Sequence, residues 1–289
     1  MKFLKLASFG VMLFAMAFAG TAFAAGDTPR GMISAAQLKE MIADDSVRVI
    51  DVRPADQFTL GHIPGAINIP VADLEVARED GIRMLAGAED FAAVMSRSGI
   101  SNDDFVVIYD EVGGSQASRV AWAMMHFGHF NVALLNGALA AWEGNTEDTA
   151  RPVTPSVFTA DCQHLMACID DVKAALGNPE FVILDSRSPA EFSGETIMSG
   201  SGRGGHIPGA ININWTANID DYRVLHSVEE LREMYAARGI TPDRTIIVYC
   251  QGGIRASFPA FVLKQVLGFP NVLMYDGSWQ EWSNHPDAP

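Results

Sequence analysis

Basic residues are scarce: 20 Lys and Arg stand against 35 Asp and Glu, a formal charge of −15. A surface of that sign repels nucleic acid and anionic lipid, so neither is expected as a partner. A small anionic ligand remains admissible, provided the fold gathers a local basic pocket for it. Long hydrophobic runs are scarcer still. Only Leu6 to Ala19 is apolar enough to concern a membrane, which excludes a multispan protein. Lys2 and Lys5 precede that run and Ala22-Phe23-Ala24 closes it, the pattern of a secretory leader cleaved after Ala24. No cysteine stands at the cleavage point, so a lipoprotein is not expected. Loss of the leader removes two lysines and no acid, which deepens the acidic balance of an exported protein, periplasmic or secreted, with no membrane partner of its own.

Cysteine is the third shortage: Cys162, Cys168 and Cys250 only. An odd number in an oxidising compartment leaves at least one thiol without an intramolecular partner. A bridge between Cys162 and Cys168 would make Cys250 the sole free thiol. That bridge requires residues 162–167 not to be helical, because a six-residue separation on a helix puts the side chains on different faces. Neither Cys nor His stands at ligand spacing around Cys250, so no metal is expected there, and nothing in the sequence implies a cofactor.

What is present is a globular composition, 48% hydrophobic and 19% charged, with enough chain for two domains. The chain repeats itself. Val49-Ile50-Asp51-Val52-Arg53 reads against Ile183-Leu184-Asp185-Ser186-Arg187, and His62-Ile63-Pro64-Gly65-Ala66 recurs as His206-Ile207-Pro208-Gly209-Ala210. Val106 to Tyr109 matches Ile246 to Tyr249, and Gly137 with Trp142 matches Gly277 with Trp282. Two copies at so long a period mean a duplicated domain rather than a solenoid. The second copy carries an insertion of about ten residues around Gly194 to Gly204.

Each half alternates helical and β-branched stretches. Helices are expected from Ser34 through Ile42, Ala88 to Ser98 and Ile169 to Leu176, with another capped by Ser227 and Glu230. Strands are expected over Val47–Val52, Phe105–Tyr109, Phe181–Leu184 and Thr245–Tyr249. The fold class is therefore α/β: two domains in tandem, each a mostly parallel sheet with helices on both faces. Arg151-Pro152-Val153-Thr154-Pro155 is the natural linker, dividing the chain into a leader (1–24), a first domain (25–150) and a second (151–289).

A duplication separates scaffold from chemistry. His62 and His206 occur in both halves, and His62 serves a half with no thiol, so both read as structural turn residues. The outlier is the residue after each second strand. It is Asp110 in the first half, followed by Glu111-Val112-Gly113-Gly114-Ser115, and Cys250 in the second, followed by Gln251-Gly252-Gly253-Ile254-Arg255. Backbone N–H groups of a glycine-containing loop, the positive end of the following helix and Arg255 all favour thiolate over thiol. Such a cysteine is a nucleophile.

Together these residues resemble the tandem-domain rhodaneses, sulfurtransferases of the thiosulfate and 3-mercaptopyruvate type, over about the whole chain after the leader. The resemblance implies an inactive first domain and a catalytic second one. It implies Cys250 as the acceptor of a sulfane sulfur, Gln251, Gly252, Gly253, Ile254 and Arg255 as the cradle of the outer sulfur, and Arg187 facing an anionic donor. Arg53 fills the same slot as Arg187 in the thiol-free half, which keeps a scaffold role for this arginine open. Arg203 is a weaker candidate for the basic pocket. The implied partners are a small anionic donor and a thiophilic acceptor, cyanide or a thiol, met by a monomer. Gln251-Gly252-Gly253 follows neither the loop pattern of thiosulfate-selective members nor that of 3-mercaptopyruvate-selective ones, so the donor stays open between them.

Two alternatives stand beside this reading. A thiol phosphatase needs five residues between Cys and Arg, whereas four intervene here and Ala256 holds that position. A persulfide carrier that does not turn over would use the same loop. The first half, with Asp110 and Glu111 where Cys250 and Gln251 stand, cannot run the same chemistry. It is expected to wall the cleft, with Trp122 and Phe127 as contacts and Arg119 as a surface ion pair or a cleft residue.

Overall fold

The computed structural model describes residues 29–289; the leader expectation falls on residues outside that range. The first half runs β1 (Met32–Ile33), α1 (Ala35–Ala43), β2 (Arg48–Asp51), α2 (Ala55–Leu60), β3 (Ile67–Asn68), β4 (Glu75–Ala77), β5 (Arg83–Leu85), α3 (Ala88–Arg97), β6 (Val106–Tyr109), α4 (Ser115–His126) and β7 (Val132–Leu135). The second runs β8 (Met166–Ala167), α5 (Ile169–Ala175), β9 (Phe181–Asp185), α6 (Pro189–Ser193), β10 (Ile211–Asn212), α7 (Val228–Ala236), β11 (Thr245–Tyr249), α8 (Ile254–Phe261), β12 (Val272–Tyr275) and α9 (Ser278–Asn284).

The two main sheets share one topology. Their orders are β1-β7-β6-β2-β3 and β8-β12-β11-β9-β10, parallel throughout. Central strands β6 and β11 read Val-Val-Ile-Tyr and Thr-Ile-Ile-Val-Tyr and are buried almost end to end, as strands covered on both faces must be. Capping boxes start α1, α6 and α7: Ser34 with Gln37, Ser188 with Glu191, and Ser227 with Glu230. Each satisfies backbone donors at a helix start. Elements expected from the sequence fall within a residue or two of where they lie. The antiparallel hairpin β4–β5 was not expected and proves important, because it leaves its own half to reach the other.

Halves meet along α4 and α8, the most extensive helix pairing in the molecule. Residues Ala117 to Met125 of α4 are buried on every side, the signature of an interior helix. Trp122 and Phe127, expected at this junction, lie in one core that also holds Phe258, Phe261 and Val262 of the second half. The connection is an ordered strap rather than a loose linker. Ser156 and Phe158 bond Ser96 of α3, and Asp161 N–H donates to Phe127 O at 3.0 Å. Residues 162–167 are not helical, as a Cys162–Cys168 bridge would require, yet both thiols are free and exposed. Cys162 lies instead 3.6 Å from His126 Nε2. No helix among the described residues is long and apolar enough to cross a membrane.

Candidate active site

In a parallel sheet the space beyond the strand carboxyl ends is where loops can present reactive groups, and Cys250 occupies it directly after β11. It is 1% exposed. The backbone turns through Gly253, whose φ of +83° suits glycine and few other residues, and α8 begins at Ile254. Ser278 pins this turn from below. Its Oγ accepts from Cys250 N–H at 3.2 Å and Gly253 N–H at 3.1 Å, and donates to Tyr275 O at 2.7 Å. Trp279 N–H and Gln280 N–H of α9 then donate to the carbonyls of Cys250 and Gln251, both at 2.9 Å. Ser278 was missed by the sequence reading. The signal was available: the matching position in the first half is Ala138, which shares the left-handed φ, +56° against +52°, but offers no hydroxyl.

The insertion backs this arrangement. Gln251 Nε2 donates to Ser201 Oγ at 2.9 Å, Trp279 Nε1 to Arg203 O at 3.2 Å, and Asn284 Nδ2 to Gly200 O at 2.7 Å. Gln251 Oε1 is buried without a hydrogen bond. Arg203, the weaker candidate for a basic pocket, is spent on the carbonyls of Ala288 and Pro289.

Arg255 and Arg187, the stronger candidates, are both already paired. Arg255 makes a bidentate bond to Glu191, 2.8 Å and 2.7 Å, and remains 26% exposed. Arg187 makes 3.0 Å and 2.6 Å bonds to Asp185, caps Gly205 O at 2.8 Å, and is 1% exposed. Arg53 does the same with Asp51 and Gly61 O at 3.0, 2.6 and 2.7 Å. The same partners recur in the half that has no thiol, which favours the scaffold role for this arginine over one facing a donor anion. His62 and His206 repeat each other as closely, each with Nδ1 on a carbonyl and its ring stacked on a phenylalanine at 3.6 and 3.7 Å.

Burial would raise the Glu191 carboxyl, but the Arg255 guanidinium and the Ser188 cap outweigh it and hold it at about 2. A carboxylate depressed on folding stabilises the fold fully above its ordinary range, and that contribution disappears as pH falls from there through the folded value. Wild type should therefore exceed Glu191→Gln in Tm by several degrees at pH 7, at about 2–4 °C per kcal/mol for a chain this size. The gap should close between about pH 4.5 and 2. Thermal unfolding across that window checks it; a gap independent of pH would separate Glu191 from Arg255 energetically.

The thiol-free loop reveals what such a turn does with an anion. Asp110 folds its carboxylate back into its own loop and accepts from the N–H groups of Val112, Gly113, Gly114, Gln116 and Ala117 at 2.9–3.1 Å. Two of these donors belong to the first turn of α4, whose N–H groups have no partner within the helix. The first turn of α8 carries the same kind of donors beside Cys250, where no carboxylate fills the cradle. The anion held in this turn, the Asp110 carboxylate, is thus held by backbone amides and not by arginines.

Two α/β domains of common topology, one with a thiol in its strand-to-helix turn and the other with the turn filled by its own carboxylate, define a tandem thiol-loop enzyme. The family model of the rhodanese-like domain matches twice, over residues 34–145 and 169–285. Thiosulfate sulfurtransferase of Pseudomonas aeruginosa is 32% identical over 263 residues, covering 89% of this chain and 96% of its own. Sulfur carrier protein TtuD of Thermus thermophilus is 37% identical over 278 residues, 90% of this chain and 96% of its own. Among solved structures, the anaerobic ergothioneine biosynthesis enzyme of Chlorobium limicola superposes with a TM-score of 0.80 at 25% identity, over 90% of this chain and 69% of that one. The chain belongs to the rhodanese-like family, and its enzyme class is that of the sulfurtransferases.

Proposed function

We propose that the protein is an exported thiosulfate sulfurtransferase working through a persulfide on Cys250. One observation carries the reading: the same turn is closed by Asp110 in one half and left to a thiol in the other. In the first step the Cys250 thiolate attacks the outer sulfur of thiosulfate, a sulfur–sulfur bond forms, and sulfite leaves with the electron pair of the broken bond. The persulfide anion then sits where the Asp110 carboxylate sits in the first half, held by the amides of Gly252, Ile254 and Arg255. In the second step cyanide or a thiol takes the terminal sulfur and Cys250 is released as thiolate. Arg255 stays beside the sulfur as a half-neutralised cation, Gln251 lines the mouth, and the first domain walls the cleft. The acidic surface limits how many anions approach, so donor capture rests on the amide cradle rather than on long-range attraction.

Steady-state transfer to cyanide from thiosulfate and from 3-mercaptopyruvate tests this. A kcat/KM for thiosulfate at least about tenfold higher, 1.4 kcal/mol in transition-state terms, is expected. A preference for 3-mercaptopyruvate overturns the donor. A stable persulfide without turnover would favour the carrier reading, which the name of the Thermus thermophilus relative supports.

A further inference from the structure

Helices α4 and α8 cross so that each reaches the cap glycine of the other half's turn. Five residues beyond its cap Gly253, α8 presents Phe258, and a Cβ placed on Gly114 would meet that ring at 2.6 Å. Five residues beyond Gly114, α4 presents Arg119, and a Cβ placed on Gly253 would meet Arg119 Nη1 at 3.0 Å and Asp276 Oδ1 at 2.9 Å. The apolar side chain thus touches the thiol-free turn, and the charged one touches the turn that carries Cys250. Arg119, read from the sequence as a surface ion pair or a cleft residue, is 2% exposed.

We infer that Arg119, supplied by the half without a thiol, is a positioning residue for the Cys250 turn and sets the charge beneath it. Its guanidinium lies 2.6 Å from Asp276 and 3.1 Å from Glu75, which belongs to hairpin β4–β5. Asp276 is 7% exposed and Glu75 5% at the side chain. The contact with Asp276 is close without being in line, so neither Nη1 nor Asp276 Oδ1 gains an oriented hydrogen bond. Arg119 acts there chiefly as compensating charge. Asp276 in turn accepts Leu85 N–H at 2.8 Å and stands two residues before Ser278, whose hydroxyl holds the amides of both Cys250 and Gly253. Hairpin, buried arginine, aspartate, serine and thiol turn form one connected path across the domain junction.

Other charges facing the thiol turn come in pairs that this device does not alter: Arg255 with Glu191, Arg187 with Asp185, and Arg78 with Glu281. Beneath the turn, Arg119 and Arg83 balance Asp276 and Glu75. Removing Arg119 leaves a buried negative charge under the Cys250 turn; removing the Glu75 charge leaves a positive one. The two variants break the same interface contact, so a purely structural role would move both alike, whereas charge compensation moves them in opposite directions.

The test is the pH dependence of Cys250 alkylation by iodoacetamide in the full chain, read at the Cys250 peptide by mass spectrometry. Only the thiolate reacts, and neither donor nor acceptor is involved, so the result is independent of the donor proposed above. Arg119→Met should slow alkylation about tenfold at pH 6, shifting the curve to higher pH, and Arg119→Lys should restore it to within about threefold. Glu75→Gln should shift the curve to lower pH. Curves for Arg119→Met and Glu75→Gln that move together, or an Arg119→Met curve that overlays wild type, overturn the inference. Should Arg119→Met not fold, Glu75→Gln alone decides, since an unchanged or upward-shifted curve there overturns it equally.

Discussion

Cys250→Ser is expected to abolish sulfur transfer, by a factor on the order of 10³ or more, while leaving the fold intact. Serine preserves size, and the backbone contacts that hold the turn, from Ser278, Trp279 and Gln280, use none of the Cys250 side chain. The lost function is the nucleophile alone. Incubated with thiosulfate, wild type should gain the mass of one sulfur on the Cys250 peptide and lose it again to cyanide. Cys250→Ser should gain none, although Cys162 and Cys168 remain exposed. Cys162 lies in the strap between the domains and Cys168 at the N-cap of α5, both away from the turn after β11, so they serve as internal controls for non-specific sulfuration. Transfer at the wild-type rate in Cys250→Ser would end the persulfide reading, and a serine variant with altered unfolding would show that the thiol also packs the core.

Much of this architecture was legible because the sequence contains its own control. Comparing two copies at matching positions isolated Cys250 against Asp110 and dismissed His62 and His206, and strands as apolar as Thr245–Tyr249 lie where periodicity puts them. Side-chain partners were less accessible. A tie of Arg187 to Asp185 was open from the sequence, because Asp51 and Arg53 repeat the pair, but the spacing alone does not choose between that tie and an anion outside. Glu191 and Arg255 are 64 positions apart, and their pairing depends on α6 being brought beside the turn of β11. The Glu75–Arg119–Asp276 group needs three elements from two halves, and each acid alone looks like ordinary surface charge. From the sequence, Asp110 excludes the thiol chemistry from the first half. The structure adds that its carboxylate fills the amide cradle of its own loop, because it is short enough to curl back.

Arg187→Ala and Arg53→Ala should destabilise the protein by similar amounts, about 3–5 kcal/mol each, the cost of stripping the partner from a buried carboxylate. Asp185 and Asp51 are both fully buried, and in each half the deletion also frees the carbonyl of Gly205 or Gly61. Arg187 has one contact more. It lies 4.6 Å from the Trp279 ring, where Arg53 has only Tyr109 at 5.8 Å, and a buried cation–π contact adds about 1–2 kcal/mol. Since Trp279 follows Ser278 in the segment that pins Cys250, the second-half variant should also loosen the thiol turn. Its activity should then fall in kcat, in proportion to the loss of ordered protein, with the KM for thiosulfate nearly unchanged. Urea unfolding together with initial rates over a range of thiosulfate concentrations separates the two possibilities. Native stability in Arg187→Ala with KM raised tenfold or more would return this arginine to the donor site, and the likeness to Arg53 would then be geometry that the second domain has put to a further use.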